Sequence, residues 1–303
     1  MEEWRITKIE AGRRLDQFLA EKKNWPRSFF MKALRTNKIK VNRKKEDPAY
    51  RLVEGDRVTS FVLEKEKKPS PAVDILYEDR WILAVNKPAG LLSLDVTGKE
   101  EDTLLSRVNR LLQDRGEPPA YPVHRIDFNT SGIVLFARDK EAGQILDRMI
   151  KERKVKKSYL CVVRGSLRPP AGRLENQIFK DARKNRVYVT EEPVKGSRTA
   201  VTDYRTLTER GGLSLVECHL LTGRTHQIRS QMAHAGHPLL GDDKYGSKEW
   251  NRRMGERRQL LCSFRITFSF GPEAGLLADL SGKTIEMKDI PFVDRYFKGI
   301  GLP

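Results

Sequence analysis

Cysteine is scarce. The chain holds three, Cys161, Cys218 and Cys262, each isolated and each among apolar neighbours. That spacing excludes a disulfide framework and a cysteine zinc site, and it suits small core hydrophobes in a reducing compartment. Long apolar runs are missing too. No stretch approaches the length of a membrane span, and the first residues, MEEWRITKIEAGRR, lack the apolar segment of a secretory leader. The expectation is a cytoplasmic protein with no membrane partner. There is no Gly-rich phosphate loop, no dinucleotide fingerprint, no nucleophilic serine elbow and no paired zinc-ligand motif. Among the five histidines, His226, His234 and His237 cluster, but eight residues of helix between the first two would separate them by about 12 Å. Hydrogen bonding at helix ends explains them better than a shared metal ion. Chemistry without metal or cofactor, or no chemistry, is what remains.

Negative charge is also short. Lys and Arg number 58 against 41 Asp and Glu, a formal net charge of +17 over 303 residues. A mixed-composition chain this basic, long enough for one large or two smaller cored domains, is expected to meet a polyanion, nucleic acid first. The excess is uneven. Residues 1–68 carry 19 Lys or Arg against 11 Asp or Glu, and no acid interrupts 27–45. In that stretch Arg27, Lys32, Arg35, Lys38, Lys40 and Arg43 are the candidate phosphate contacts. Leu15, Phe18 and Leu19 at helical spacing predict a first helix. Trp25-Pro26 breaks it, and a second helix follows over 27–36 with Asn37 as its C-terminal cap. Ile39 and Val41 alternate with lysines as a half-buried strand, and 57–63 alternates again after the Gly55-Asp56 turn. The charged, proline-bearing 64–71 reads as a linker between a domain at 1–63 and another at 72–303.

The second block is organised around 121–138, YPVHRIDFNTSGIVLFAR. Its end, 132–137, is an apolar, β-branched run that predicts a buried strand. Before it stand His124, Arg125, Asp127, Asn129, Thr130 and Ser131, a turn of short polar side chains. Asp127 should therefore be held rigidly on a tight turn, facing outward, either as a cap or as a functional carboxylate. Around it the pattern predicts a hairpin over 74–85, helices over 104–112 and 140–153, a strand over 157–163 carrying Tyr159, and a hairpin over 199–221. A helix over 226–235 carries Arg229, and a strand follows over 260–270. The polar stretch 164–195 reads as surface loops and short strands, and the last thirty residues have no placement. A carboxylate in a closed site needs a cation beside it, which an arginine fork supplies, and a tyrosine can stack on a flat ring or move a proton. Pattern alone does not bring Asp127, Tyr159 and Arg229 together.

Four stretches resemble one family. They are HRIDFNTSGIVLFARD from His124, KKSYLCVVRG from Lys156, LLTGRTHQIRSQMAHAGHPLLGDDKYG from Leu220 and LLCSFRITF from Leu260. In this order they look like the signatures of the RluA-type pseudouridine synthases. The run RLDQFLAEKKNWPRSFFMKALRTNKIKVNRKK with LVEGDRVTSF resembles the S4 RNA-binding domain that precedes many members. The resemblance implies an α+β protein: a small α/β S4 domain, then a catalytic domain with a mixed, mostly antiparallel sheet flanked by helices. It implies isomerisation of uridine in RNA to pseudouridine, without cofactor. Asp127 matches the essential carboxylate, acting at the uracil ring, at ribose C1′ or through a glycal. Tyr159 matches the tyrosine that stacks on the base, with a part in removing the C5 proton, and Arg229 matches the partner of the aspartate. Leu261 matches a packing leucine, and Arg125 a residue that holds the RNA open where the base has left. With His124 and Thr130 of the same motif these make the expected substrate-binding set. Ile126, Ser230-Gln231 and Cys262-Ser263 depart from the common pattern without touching the three main positions. The S4-like block points by analogy to large-subunit (23S) ribosomal RNA or its assembly intermediate as partner, with the chain a monomer. Pseudouridylation of transfer RNA, a non-catalytic RNA-binding assembly factor and a uridine N-glycosidase are the alternatives.

Overall fold

The computed structural model describes residues 2–23, 27–62, 72–95 and 102–302, with side chains except at 27–29 and 32. The 64–71 linker, the Trp25-Pro26 break and the side chains of Arg27 and Lys32 thus lie outside the described residues. Two compact units form, Met1–Ser70 and Pro71–Pro303.

The first unit runs β1 (Glu2–Arg5), α1 (Leu15–Lys22), α2 (Arg27–Arg35), β2 (Ile39–Val41) and β3 (Arg57–Ser60). Its antiparallel sheet has the order β1-β3-β2. The helices bury Leu15, Phe18, Leu19, Phe30, Ala33 and Leu34 against Ile39, Val41 and Val58. Asn37 ends α2 as expected. At φ 60° it donates its N–H to Leu34 O at 3.1 Å, and Lys38 N–H reaches Ala33 O at 2.9 Å, which satisfies the last carbonyls. Strand β1 was not foreseen, because EEWR is charged and mostly exposed at the sheet edge, so no alternation marks it. Asp56 ties the loops together. Its buried carboxylate accepts from Asn42 Nδ2 at 2.7 Å, Val53 N–H at 2.8 Å and Tyr50 Oη at 3.1 Å. Asp56→Ala leaves three donors without their acceptor and should cost this unit about 2 kcal/mol. Amide exchange of Val53 and Asn42 in the intact chain should then be about 30-fold faster.

The second unit carries β4 (Asp74–Glu78), β5 (Ile82–Lys87), α3 (Leu104–Asp114), β6 (Tyr121–Pro122), β7 (Ser131–Ala137), α4 (Lys140–Lys151) and β8 (Val155–Arg164). It continues with β9 (Ala171–Asp181), β10 (Arg186–Thr190), β11 (Arg198–Arg210), β12 (Leu213–Leu220), α5 (Gln227–His234), α6 (Lys248–Arg253) and β13 (Leu261–Phe268). A 3-10 segment (Pro272–Leu280), β14 (Thr284–Glu286) and α7 (Pro291–Tyr296) close it. One 11-stranded sheet runs β10-β9-β11-β12-β8-β13-β7-β5-β4, with β14 beside β13 and β6 beside β7. Pairing is antiparallel throughout, except that β13 and β7 are parallel, so the sheet is mixed and mostly antiparallel as expected. Among the described residues no helix is long and apolar enough to cross a membrane.

The central strands are covered on both faces, which explains their near-continuous apolar runs. On β7, Ile133, Leu135 and Ala137 face a layer made by α4, the 3-10 segment and α7. Val134 and Phe136 face the other way, towards α3 and α5, together with Tyr159 and Cys161 of β8 and Leu261 of β13. Strands β7 and β13 meet very closely at Gly132. There φ is +107°, and a Cβ would stand 2.2 Å from Ser263 O, so only glycine fits.

One expectation is corrected, and one stretch left unplaced finds its place. Residues 164–195 are not loops with short strands: β9 spans eleven residues and pairs with β10 and β11. This edge of the sheet buries little beyond Ile178, Val187 and Ala200, so its ladder leaves no apolar alternation to read. The last thirty residues do pack. Leu277, Leu280, Ile285, Phe292, Val293 and Phe297 cover the α4 face, but their irregular spacing matches neither helical nor strand periodicity.

Candidate active site

Asp127 stands on the loop that leads into β7, and the main chain around it is tied on every side. Its own carbonyl accepts Thr130 N–H at 3.1 Å. Before it, Ile126 and Ser93 bond reciprocally, Ile126 N–H to Oγ at 3.1 Å and Oγ–H to Ile126 O at 2.9 Å. After it, Phe128 O accepts Gly90 N–H at 2.8 Å and Lys87 Nζ at 3.1 Å. Thr130 is buried, and its Oγ1 accepts Gln259 Nε2 at 3.0 Å. Lys87 is fully buried and donates also to Leu91 O at 2.7 Å and Pro88 O at 2.9 Å. Burial pushes its ammonium down to about 7, while the charge of Asp127 opposes that shift. Ser93, Gln259 and Lys87 thus fix the loop. Sequence reasoning missed all three, because a lysine in an NKPAG turn reads as surface.

Arg229, on α5, meets Asp127 with Nη1 at 3.2 Å from Oδ2. The rest of its guanidinium is spoken for: Nε and Nη2 grip Asp242 as a fork at 2.6 and 3.0 Å. Asp242 is itself fixed, since Oδ1 accepts Lys244 N–H at 2.9 Å and Tyr245 N–H at 3.2 Å. The chain reaches it through Gly241, at φ +83° with its Cα so close to Arg258 that a Cβ would stand 2.0 Å from the carbonyl oxygen. Asp242 was also missed. In sequence it is one of two adjacent acids after a glycine, and only the fold shows which one turns inward.

Tyr159 lies on β8, buried in the same layer as Leu261, Ile126 and Ile228. Burial first, and then the charge of Asp127, raise its phenol well above the usual tyrosine range, so it is a hydroxyl at neutral pH. Leu261 is buried, and its carbonyl accepts Ser131 Oγ–H at 3.4 Å at the start of β7. His124 is engaged by the fold: Nε2 accepts Leu135 N–H at 2.9 Å, and burial pushes the imidazole down to about 3, so it is neutral. Arg125 is exposed, and beside Asp127 the Phe128 ring is half exposed. The structure therefore joins Asp127 to Arg229, sets Tyr159 and Leu261 in one layer with Ile126, and ties His124 and Thr130 into the frame of the loop.

His226 belongs here too. It was expected only to bond at a helix end, and His234, bonded to Glu191 at 2.7 Å, and His237, bonded to Arg164 O at 2.9 Å, do so. His226, however, places Nε2 3.9 Å from Asp127 Oδ2. Among the described residues no cluster of His, Cys, Asp and Glu could hold a metal ion. In the first unit Arg35, Lys38 and Arg43 are exposed, and Lys40 is half-buried with Nζ 5.7 Å from the Phe61 ring centre.

The geometry provides one carboxylate on a rigid loop, one guanidinium locked beside it and a buried phenol in an apolar layer. Comparison with known proteins gives this constellation a setting. A model of the RNA pseudouridylate synthase family matches residues 81–234, and one of the S4 domain matches 13–58. The ribosomal large subunit pseudouridine synthase D of Neisseria meningitidis serogroup B is 35% identical over 281 residues, covering 88% of this chain and 74% of that protein. The ribosomal large subunit pseudouridine synthase C of Escherichia coli K12 is 32% identical over 265 residues, covering 83% and 82%. The solved structure of human RNA pseudouridylate synthase domain containing 1 shares the fold at a TM-score of 0.55 and 23% identity, covering 79% of this chain and all of that one.

Proposed function

The chain belongs to the RNA pseudouridylate synthase family and is an RNA pseudouridine synthase, and from that premise we propose that Asp127 is its essential carboxylate and large-subunit ribosomal RNA its substrate. The observation that carries the site is the single guanidinium of Arg229 gripping buried Asp242 on one side and reaching Asp127 on the other.

In the reaction the C1′–N1 bond of a uridine breaks, the uracil turns, C5 bonds to C1′, and the C5 proton leaves while N1 gains one. Atoms balance without a cofactor. Breaking the bond leaves C1′ electron-poor. A carboxylate held still beside it forms a covalent bond to it, offsets its charge or assists loss of the 2′ proton. Arg229 supplies a fixed positive charge whose position needs no reorganisation during the reaction. The apolar layer of Tyr159 and Leu261 offers the released uracil a flat surface to turn against. Because Tyr159 is a hydroxyl at neutral pH, it takes part in loss of the C5 proton only by passing its own proton on to a base as it accepts that one. Tyr159→Phe keeps the stacking ring and removes the relay. In single-turnover assays it should lower the rate about 100-fold, with RNA affinity changed less than about threefold, whereas Tyr159→Ala should weaken both.

The uridine must leave its stack before it meets Asp127, which costs a few kcal/mol. Arg125, exposed beside the turn, occupies the gap in this reading. His124 and Thr130 serve by holding the loop. Arg35, Lys38, Lys40 and Arg43 of the S4 unit, with Arg27 and Lys32, offset the cost through phosphate contacts. Relatives named for the large ribosomal subunit, and the S4 domain, support ribosomal RNA over transfer RNA. The test is tritium release from ribosomal RNA, transcribed without modification and labelled at C5 of uridine. Release with no free uracil is expected. Release from transfer RNA alone overturns the substrate, and free uracil would mark a glycosidase.

A further inference from the structure

His226 has a hydrogen-bonding position that leaves it one role. Its Nδ1 lies 2.8 Å from Tyr245 Oη. That same oxygen already accepts Val187 N–H at 2.8 Å, from β10. If Tyr245 donates its proton to Nδ1, the Val187 N–H, the Tyr245 hydroxyl and His226 Nδ1 are all satisfied, and the ring proton sits on Nε2. The other tautomer would leave the Tyr245 proton without a hydrogen-bond partner among the described residues and turn the Nε2 lone pair towards the Asp127 carboxylate. Both costs fall on the same alternative. The ring is also neutral. Burial, with Arg229 and Lys244 facing it, outweighs Asp127 and Asp242 and pushes the imidazole down to about 4. Tyr245 is locked in turn, with the Arg229 and Arg186 guanidinium carbons 5.2 and 5.3 Å from its ring centre.

We infer that His226 is a positioning residue whose Nε2–H, oriented through Tyr245, points at Asp127 Oδ2 beside Arg229, leaving Oδ1 as the oxygen that faces the substrate. The inference rests on Asp127 being the essential carboxylate. Two donors converge on one oxygen: Arg229 Nη1 at 3.2 Å and His226 Nε2 at 3.9 Å. The second distance is too long for a hydrogen bond, and an approach of about 1 Å as RNA enters would close it, as catalytic contacts often do. The left-handed backbone of His226, φ 54° and ψ 23°, is what swings the ring from the start of α5 towards the turn. A side chain there in an ordinary helical conformation would not need this uncommon geometry.

The test has two parts on the full-length enzyme. Nitrogen NMR of free wild-type protein should show the His226 ring protonated on Nε2 alone at neutral pH. A ring protonated on Nδ1, or on both nitrogens, overturns the inference whatever the activities are. In single-turnover assays His226→Phe should slow pseudouridine formation about 30-fold with RNA affinity changed less than threefold, and His226→Gln, which restores an N–H, should recover at least a third of the rate. Tyr245→Phe should slow it about tenfold, and the His226→Phe/Tyr245→Phe double variant should be no slower than His226→Phe alone, since the tyrosine acts only through the ring. Additive losses, or losses confined to affinity, overturn it. An enzyme that needs Asp127 yet tolerates His226→Phe at full rate defeats this inference alone, whereas full activity of Asp127→Ala defeats the reading beneath it.

Discussion

Asp127→Asn should fold as the parent does and form pseudouridine at least about 10⁴-fold more slowly. The two halves of that result come from different atoms. The turn is held by main-chain groups of Ile126, Asp127, Phe128 and Thr130 and by the Thr130 hydroxyl, bonded to one another and to Ser93, Gly90, Lys87 and Gln259, and none of these bonds uses the Asp127 side chain. That side chain is 24% exposed and, among the described residues, holds a hydrogen bond to Arg229 only, which keeps its two bonds to Asp242 in the variant. Weakening one of the three hydrogen bonds of Arg229, at a partly exposed side chain, should change stability by less than about 1 kcal/mol. The chemistry has no such reserve. A carboxamide is neutral, is a poor nucleophile at carbon and takes no proton, so each of the three routes open to Asp127 fails together. The measurement is single-turnover formation of pseudouridine at saturating enzyme, paired with a thermal unfolding curve. Activity within about tenfold of the parent, on a folded variant, would falsify the assignment of Asp127.

The frame of this site was partly legible in the amino-acid sequence, and the division follows physical lines. Strand β7 and the turn before it were readable because one is a two-faced buried strand and the other a run of short polar side chains. Helix α2 and its Asn37 cap were readable for the same local reason. All three cysteines are buried and free, as isolated cysteines among apolar residues should be. Tyr159 and Arg229 gave no local signal of function. They came from resemblance, and the fold then placed Arg229 against Asp127 across 102 residues of chain. Groups whose role is to hold others were not legible at all. Lys87 is fully buried, which runs against the preference of a lysine, because three carbonyls from two loops converge on it. Asp242 and His226 act through contacts that no spacing encodes. Strand β1 and the full extent of β9 and β10 were missed for a different reason. They lie at or next to a sheet edge, where backbone pairing defines them and the side chains, Ile178 and Val187 apart, stay at least partly exposed.

Asp242→Ala should be the more damaging change to the protein and nearly as damaging to the reaction. Its carboxylate is 1% exposed and the Arg229 side chain 8%, so the fork between them is a buried ion pair. Removing one member leaves a buried guanidinium with Asp127 alone, at 3.2 Å, and deprives Lys244 and Tyr245 of an acceptor for their N–H groups. Loss of one partner of such a pair costs about 3–5 kcal/mol, enough to lower the unfolding midpoint by several degrees. The freed guanidinium can then swing fully onto Asp127 and take both carboxylate oxygens in a bidentate bond, which occupies the oxygen that should face the RNA. The rate should therefore fall about 10³-fold even in the fraction that stays folded. A second variant separates the two effects. Arg229→Met/Asp242→Leu removes both charges and fills their space with apolar atoms, so it should regain part of the lost stability, limited by the two orphaned N–H groups. It should regain none of the activity, because no guanidinium then stands beside Asp127. If the double variant is both stable and active, Arg229 is a structural residue and the positive charge at the site is dispensable. If Asp242→Ala is as stable as the parent, the fork does not hold the site together.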